Sequence, residues 1–239
     1  MSTLKNTIKG DNMRKTVYVV PTRGRPENAS RLLKAWKDTK AVADLYFVCD
    51  IDDWSLRDYQ AIPDINIITN HITASGMAQP LNMACMTLLD DTRYERYAYF
   101  GFMGDDHVPR TDYWDYLLAL LIPMQKQGIA YGNDLLQGAN LPTACLMTRG
   151  IVEQLRGMVQ PKAKHLYLDN LWKKLGTDIG GLYYAENIVI EHMHPLAGKS
   201  KMDDHYARVN SSQYYEHDSK VYEDFINSQT YVDLVAKLS

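Results

Sequence analysis

The residues best suited to chemistry come where an apolar run of the chain ends. Residues 97–103 (YAYFGFM) have the composition of a buried strand, and Gly104, Asp105, Asp106 and His107 follow at once. Carboxylate oxygens are preferred ligands of Mg²⁺ and Mn²⁺, and an added imidazole favours Mn²⁺. Two adjacent acids alone are more typical of a solvated loop. The strand before them and the histidine after them favour a divalent metal site.

A second polar segment follows the first apolar run, at residues 21–26 (PTRGRP). Arg23 and Arg25 offer guanidinium groups that bind phosphate through paired N–H donors. The segment matches neither the GxxxxGKS nor the GxGxxG phosphate-loop pattern. We therefore expect the arginine side chains, rather than a glycine-rich backbone, to hold any phosphate here.

Two more polar segments follow later runs of the same kind. Residues 50–55 (DIDDWS) carry three carboxylates that can accept a hydrogen bond from an imide N–H, and residues 75–82 (SGMAQPLN) begin a predicted helix with free backbone donors. Each segment taken singly is compatible with ordinary turn chemistry. In open parallel sheets, ligands bind beyond the carboxyl ends of the strands, where four such segments would meet.

The elements that would position these residues alternate along the first half of the chain. Apolar runs separated by helical segments, without polar alternation, indicate a parallel sheet covered on both faces. Pro80 must lie in the first turn of its helix. The predicted strands are 16–20, 44–50, 65–69, 97–103, 141–148 and 183–192, and the predicted helices are 27–39, 77–91, 111–128, 165–176 and 216–238.

Composition and charge exclude several classes of protein. The chain has 239 residues, with 26 basic and 29 acidic side chains and a formal charge of −3. This balance gives no strong nucleic-acid signature and no polybasic membrane patch. No apolar run reaches the ~18 residues of a membrane span, and the start lacks the apolar segment of a secretion signal. Cys49, Cys85 and Cys145 are predicted to be reduced core thiols of a cytoplasmic protein.

The order of these motifs resembles the GT-A glycosyltransferases, in particular the family 2-like enzymes, many of them small and encoded by bacteria or phages. In that family the first strand ends in a Pro-Thr/Ser-x-x-Arg-like turn, and the second ends in an Asp-Asp-x-Ser element that holds the base. A Gly…Asn element then starts the third helix. The matching residues here are Pro21, Thr22, Arg23 and Arg25, then Asp52 and Asp53 with Asp50 as a rival, then Gly76 and Asn82.

The family's fourth strand ends in the D-x-D metal motif, which this chain has as D-x-H. The variant, from Asp105 to His107, is similar to that of the polypeptide N-acetylgalactosaminyltransferases. The resemblance implies that Asp105 and His107 bind Mn²⁺ or Mg²⁺ and that a C-terminal histidine completes the shell. Alternation along a strand puts His192 and His194 on one face, and His194 is slightly favoured. The alternative is a pair of structural histidines.

The resemblance also implies a fold and a donor site. The fold would be α/β, a mostly parallel GT-A (Rossmann-like) sheet flanked by helices, with a smaller acceptor-side subregion and a C-terminal helix. Residues 1–15 would be a flexible tail and 16–239 one domain, divided into a nucleotide-sugar half (16–110), an acceptor-side half (111–210) and the C-terminal helix (211–239). A UDP-sugar would contact the motif residues named above and also Asp106 and Lys199. The alternative for Lys199 is a place in a solvated loop with no ligand.

Asp169 is the candidate catalytic base. Family 2-like inverting enzymes use an acidic residue at the start of a helix to deprotonate the acceptor hydroxyl, and partial burial would raise the pKa of Asp169 toward a useful value. The family's Glu-Asp pair is absent, because Leu168 precedes Asp169. Asp169 can instead be a helix cap. Inversion is the expected outcome, although the D-x-H variant also occurs in retaining enzymes.

The sequence therefore predicts a metal-dependent glycosyltransferase that moves a sugar from a UDP-sugar to an acceptor hydroxyl on a glycan, a protein or a modified nucleobase. A sugar-phosphate nucleotidyltransferase is an alternative, but residues 21–30 contain one glycine where that class has a glycine-rich loop. A non-catalytic nucleotide-sugar binding module is a third possibility. The presence of the acids, the histidines and Asp169 together argues against it.

Overall fold

The computed structural model describes residues 14–73, 75–90, 97–194, 198–199, 208–209 and 211–239. Its strands are β1 (Thr16–Thr22), β2 (Asp44–Asp50), β3 (Ile67–Asn70), β4 (Tyr99–Phe102), β5 (His107–Pro109), β6 (Ile129–Asn133), β7 (Cys145–Thr148) and β8 (Leu182–His192). Its α-helices are α1 (Pro26–Asp38), α2 (Leu56–Gln60), α3 (Ala78–Asp90), α4 (Trp114–Leu121), α5 (Arg149–Leu155), α6 (Leu168–Asp178), α7 (Ser212–Ile226) and α8 (Gln229–Leu238).

The strands form one eight-stranded sheet in the order β3-β2-β1-β4-β7-β6-β8-β5. Strands β3, β2, β1 and β4 are parallel, as predicted. Strand β7 is antiparallel to both its neighbours, β6 and β8 are parallel, and β5 is antiparallel to β8. The predicted α/β fold with a helix-flanked sheet is confirmed, and the sheet is parallel in its first half and mixed in its second.

The central strand β1 shows why its apolar run is continuous. Val17 and Val19 pack into the hydrophobic core on one face of the sheet, whereas Tyr18 and Val20 pack into the core on the other face. Successive side chains of a strand point to opposite faces, so a strand covered on both faces needs apolar residues at every position.

Two predicted helices differ from the structure. The helix predicted at 111–128 is observed as the shorter α4. It ends at Leu121 because Ile122 is extended and Pro123 follows. The single C-terminal helix is in fact two helices, α7 and α8. The break occurs because Ser228 caps α8, its side chain accepting a hydrogen bond from the N–H of Tyr231.

Several other predictions concern single features of the chain. The three cysteines are buried and form no disulfide, as expected. No helix among the described residues is long and apolar enough to cross a membrane. Of the predicted N-terminal tail, residues 1–13 lie outside the described part of the chain.

Candidate metal and nucleotide site

A cavity of about 260 Å³ lies beyond the carboxyl ends of β1, β2 and β4 and is bordered by the end of β8 and the start of α6. Twelve of the residues predicted from the sequence line it. These are Pro21, Thr22, Arg23, Arg25, Asp50, Gly76, Asp105, Asp106, His107, Asp169, His192 and His194. The structure thus brings together residues that are up to 173 positions apart, from Pro21 to His194.

The imidazole cluster, which consists of Asp106, His107 and His192, lies on one wall of this cavity. His107 opposes His192 in the antiparallel pairing of β5 with β8, and the two rings stack with centroids 4.1 Å apart. The Asp106 carboxylate approaches both, its oxygens 3.3 Å from His107 Nδ1 and 3.4 Å from His192 Nε2. One potential ligand atom from each residue lies within 4.8 Å of the others.

The imidazole cluster has buried nitrogens without hydrogen bonds. Neither ring nitrogen of His107 makes a hydrogen bond, although Nδ1 lies 3.3 Å from Asp106, and His192 Nδ1 makes none either. Leaving a buried polar atom unpaired costs about 1–3 kcal/mol. Ligand atoms about 2.1 Å from one ion lie about 3–4 Å apart, which matches the separations from Asp106. The cluster therefore fits a divalent cation in donor chemistry and in the spacing of both rings from Asp106.

Gly104 permits the close approach of the cluster's first two members. A Cβ atom at this position would lie 2.6 Å from Asp106 Oδ1 and 3.1 Å from His107 Nδ1. The first distance is shorter than real Cβ contacts, so any other residue would displace the Asp106 carboxylate. The glycine before the two acids is thus part of the motif.

Asp105, predicted as a metal ligand, lies apart from the histidines, and its side chain faces β1 and α1. Asp105 Oδ2 accepts a 2.6 Å hydrogen bond from the Thr22 hydroxyl, and Oδ1 accepts one of 3.3 Å from Asn28 and lies 3.6 Å from an Arg25 nitrogen. A turn closed by the His107 N–H and the Gly104 carbonyl sends the two neighbouring carboxylates in different directions. Asp106, not Asp105, joins the histidines.

The charge states of the two aspartates differ accordingly. Burial and the nearby Asp106 charge raise the pKa of Asp105 to about 6. Burial would by itself raise the pKa of Asp106 as well, but His107 and His192 hold it well below its usual range. Asp106 is therefore the carboxylate that stays ionised beside the imidazoles.

The guanidinium cluster consists of Arg23, Asp50 and Asp52 at the ends of β1 and β2, and its first two members line the cavity. One nitrogen of Arg23 donates to Asp50 Oδ2 at 2.9 Å and to Asp52 Oδ1 at 2.6 Å. The other Asp50 oxygen accepts a 2.7 Å hydrogen bond from Asn70. The hydrogen bond from Arg23 lowers the pKa of Asp52, and the same bond raises that of Arg23. This cluster is internally paired.

Four predicted donor-site residues do not line the cavity. Asp52 is partly exposed beside Arg23, and buried Asp53 accepts hydrogen bonds from Ser55 and from the Gly24 N–H, which shapes the turn after β2. The remaining two residues have partners elsewhere. Asn82 bonds the backbone of Met158 and Val159, and Lys199 pairs with Glu191 at 2.8 Å.

Gly76 lines the cavity for a steric reason. A Cβ atom there would lie 2.3 Å from the Lys164 carbonyl oxygen, which accepts a hydrogen bond from the Ala78 N–H. The start of α3 therefore packs directly on the segment 164–166, so the donors expected at this helix start are partly used inside the protein.

Two buried carboxylates hold backbone segments near the cavity, and sequence reasoning missed one of them, Asp218. Asp218 of α7 accepts hydrogen bonds from the N–H groups of residues 164, 165 and 166. Asp134, after β6, accepts hydrogen bonds from the N–H groups of residues 136, 137 and 138. Asp134 lies in a turn-like sequence, whereas nothing near Asp218 signals a partner more than fifty residues away.

Asp169 is the second residue of α6, and the cap position is occupied by Tyr167. The carboxylate accepts one hydrogen bond, from the Asn170 N–H at 2.9 Å. Burial raises the pKa of Asp169, opposed by that N–H and by His192. Asp169 is therefore not the residue at the cap position of α6. It is a partly buried carboxylate that faces the cavity.

His194 lies beside the imidazole cluster rather than within it. Its ring meets that of His192 edge-on, with centroids 4.8 Å apart. Burial is the larger cause that lowers the pKa of both rings, and a neighbouring histidine lowers each pKa further. Neutral rings keep a lone pair available for a cation.

The fold is shared with solved structures of nucleotide-sugar enzymes. A candidate nucleotide-diphospho-sugar transferase from Desulfovibrio desulfuricans G20 matches 94% of this chain and 98% of its own, with TM-score 0.51 and 11% identity. Glucosyl-3-phosphoglycerate synthase from Mycobacterium tuberculosis, in complex with Mn²⁺, UDP-glucose and phosphoglyceric acid, matches 82% of this chain and 77% of its own, with TM-score 0.55 and 11% identity.

The same synthase with Mn²⁺, UDP and phosphoglyceric acid matches 98% of this chain and 82% of its own, with TM-score 0.57 and 10% identity. The sequence matches no protein-family model and no curated protein. At these identities the likeness establishes the fold alone.

Proposed function

We propose that this protein is a metal-dependent glycosyltransferase that uses a UDP-sugar as donor. The observation that carries the proposal is the imidazole cluster, whose buried nitrogens include three without a hydrogen bond and which borders a cavity lined also by two arginines and Asp169. The fold supports it, because the synthase that shares the fold was solved with Mn²⁺ and UDP-glucose.

The imidazole cluster would hold Mn²⁺ or Mg²⁺ through Asp106, His107 and His192, with His194 adjacent. When bound there, the ion supplies positive charge that stabilises the leaving diphosphate. The chain's own contribution is to hold the two rings stacked beside Asp106, so that little reorganisation is needed.

The guanidinium cluster would bind the nucleotide together with Arg25. Arg23 and Arg25 line the cavity and present donors that match phosphate oxygens. Asp50, at the end of β2, would accept the imide N–H of uracil after exchanging one of its present partners, Arg23 or Asn70. Asp52 would remain the partner that holds Arg23 in place.

Asp169 would be the general base that takes the acceptor hydroxyl's proton. A sugar hydroxyl is a poor nucleophile until its proton is leaving. Asp169 is a cavity-lining carboxylate whose pKa is raised by burial, the direction that makes a carboxylate a better base. Attack from that side, opposite the departing diphosphate, would invert the anomeric carbon.

The acceptor would be a molecule with a free hydroxyl that reaches the wall formed by residues 165–169. A nucleotidyltransferase reaction on the same fold is less well supported, because the turn after β1 offers arginine side chains rather than a glycine-rich loop to a triphosphate. A mixture of nucleoside triphosphate and sugar phosphate should therefore give no product.

A thermal-shift experiment tests the proposal directly. UDP and UDP-sugars with Mn²⁺ should raise the melting temperature well above the value with the same ligands in EDTA, because an ion held by the imidazole cluster would add binding energy to the folded state. Mn²⁺ with uridine serves as the control without phosphate. Equal stabilisation in EDTA would refute the metal-dependent part of the proposal.

A further inference from the structure

Asp134 is buried, with 2% of its surface exposed, at the end of β6. Its two oxygens have different tasks. Oδ1 accepts three hydrogen bonds, at 2.7–2.9 Å, from the N–H groups of residues 136–138 and closes the turn. Oδ2 accepts a single 2.8 Å hydrogen bond, from the Thr143 hydroxyl, which leaves that oxygen with capacity to accept another.

The second oxygen faces the imidazole cluster. Asp134 Oδ2 lies 4.0 Å from His192 Nδ1, a buried nitrogen with no hydrogen-bond partner. The backbone fixes this arrangement, since the His192 N–H donates a 3.0 Å hydrogen bond to the Asp134 carbonyl. The other ring nitrogen, His192 Nε2, lies 3.4 Å from Asp106. One histidine ring therefore stands between two carboxylates.

A neutral imidazole has one N–H donor and one lone pair. If Nδ1 carries the hydrogen, it points toward Asp134 and the lone pair of Nε2 points toward Asp106 and the other ligand atoms. If Nε2 carries the hydrogen, the lone pair is directed at a carboxylate and no ion can be bound by Nε2. Histidines that bind metals donate their second N–H to a carboxylate, a carbonyl or water for this reason.

We propose that Asp134 is a positioning residue that fixes His192 in the Nδ1–H form and so aims its Nε2 lone pair at the metal position. The inference rests on the proposed function, because it concerns the same ion. The present separation of 4.0 Å exceeds hydrogen-bond length. A small rotation of the His192 ring would bring Nδ1 within hydrogen-bond length of Asp134 if the site held an ion, as active-site hydrogen bonds tighten on binding.

Asp134→Asn is the decisive variant. The amide oxygen can still accept the three backbone N–H groups, so the turn is kept, while the amide nitrogen replaces the oxygen that faces His192. That nitrogen is a donor and favours the wrong form of the ring. Mn²⁺ affinity in the presence of UDP should fall about 10–100-fold, measured by the electron paramagnetic resonance signal of free Mn²⁺. UDP affinity without metal should not change.

Thr143→Val is the matched control, since it removes the other hydrogen bond to the same oxygen and leaves the carboxylate facing His192. Its Mn²⁺ affinity should equal that of the parent protein. A role in the turn alone predicts either that both variants lose Mn²⁺ affinity equally or that neither does, and either result overturns the proposal.

Nitrogen NMR of histidine-labelled, metal-free protein at pH 8 provides a test without Mn²⁺, because it reports which ring nitrogen carries the hydrogen, and the His192→Gln spectrum assigns the signal. In the metal-free protein Nε2 lies 3.4 Å from Asp106 and Nδ1 lies 4.0 Å from Asp134, so the two carboxylates compete for the ring hydrogen. We expect Asp134→Asn to lower the share of the Nδ1–H form relative to the parent protein, and an unchanged share would overturn the proposal. If the parent binds no Mn²⁺ with UDP, the proposed function fails, whereas the NMR result still decides the role of Asp134.

Discussion

Two charged regions border the same cavity and differ in how completely their polar groups are paired. In the guanidinium cluster, Arg23 bonds both Asp50 and Asp52, and the free Asp50 oxygen bonds Asn70. In the imidazole cluster, three buried ring nitrogens of His107 and His192 have no hydrogen bond. The polar groups of the guanidinium cluster are hydrogen-bonded within the chain, whereas several of those in the imidazole cluster are not.

The difference teaches what each region needs from a ligand. A saturated ion-pair network must exchange partners when a phosphate binds, so part of the binding energy offsets the lost pairs. Unpaired buried nitrogens are a cost in the empty protein that a bound cation removes. We therefore expect metal binding to depend on few residues with large effects, and nucleotide binding to depend on more residues with smaller effects.

Asp106→Ala should have the largest effect. It removes the only carboxylate grouped with the two histidines among the described residues. The Mn²⁺-dependent stimulation of transfer should fall by about 10²–10³-fold, since a catalytic ion contributes several kcal/mol. Rates measured across a Mn²⁺ titration check this.

Asp105→Asn is the matched control for that experiment. Its carboxylate faces Thr22, Asn28 and Arg25, so the variant should keep a Mn²⁺ response of parental midpoint even if its overall rate falls. Loss of the response in Asp105→Asn with retention in Asp106→Ala would reverse the assignment made from the structure.

Asp169→Asn should lower the rate of transfer without weakening ligand binding by the imidazole cluster or the guanidinium cluster. The variant keeps the size of the side chain but cannot take a proton, so transfer should fall about 10²-fold or more. Affinities for UDP-sugar and Mn²⁺ should stay near parental values, measured by calorimetry on the same preparation. Near-parental transfer would remove Asp169 from the mechanism and leave inversion without support.

Arg23→Ala should have the smallest of these effects. Loss of a charge-assisted donor should weaken UDP binding about 10-fold, partly because the parent must break its own pairs with Asp50 and Asp52 first. Arg110 provides the comparison, since it is an exposed arginine with a 2.7 Å ion pair to Glu191 and does not line the cavity. A similar loss of UDP affinity in Arg110→Ala would mean that general positive charge, not the site, attracts the nucleotide.

The first half of the fold could be predicted because its signals are local. Runs such as 44–50 have the composition of buried strands. The polar residues after each run lie at the same edge of the sheet because the strands are parallel. The second half resisted prediction. A strand was predicted at the position of β7, but its antiparallel direction and the short edge strand β5 are set by pairing partners far along the chain, which local patterns do not encode.

The candidate site divides in the same way. The sequence by itself determined which residue types gather at the cavity, including the acids before His107 and the histidines at the end of β8. Only the tertiary structure decided that Asp106 rather than Asp105 faces those histidines, that Asn82 is used by the backbone of residues 158–159, and that Asp134 stands behind His192. Residue type is a property of the chain, but side-chain direction depends on a turn and on strand register, which only long-range packing fixes.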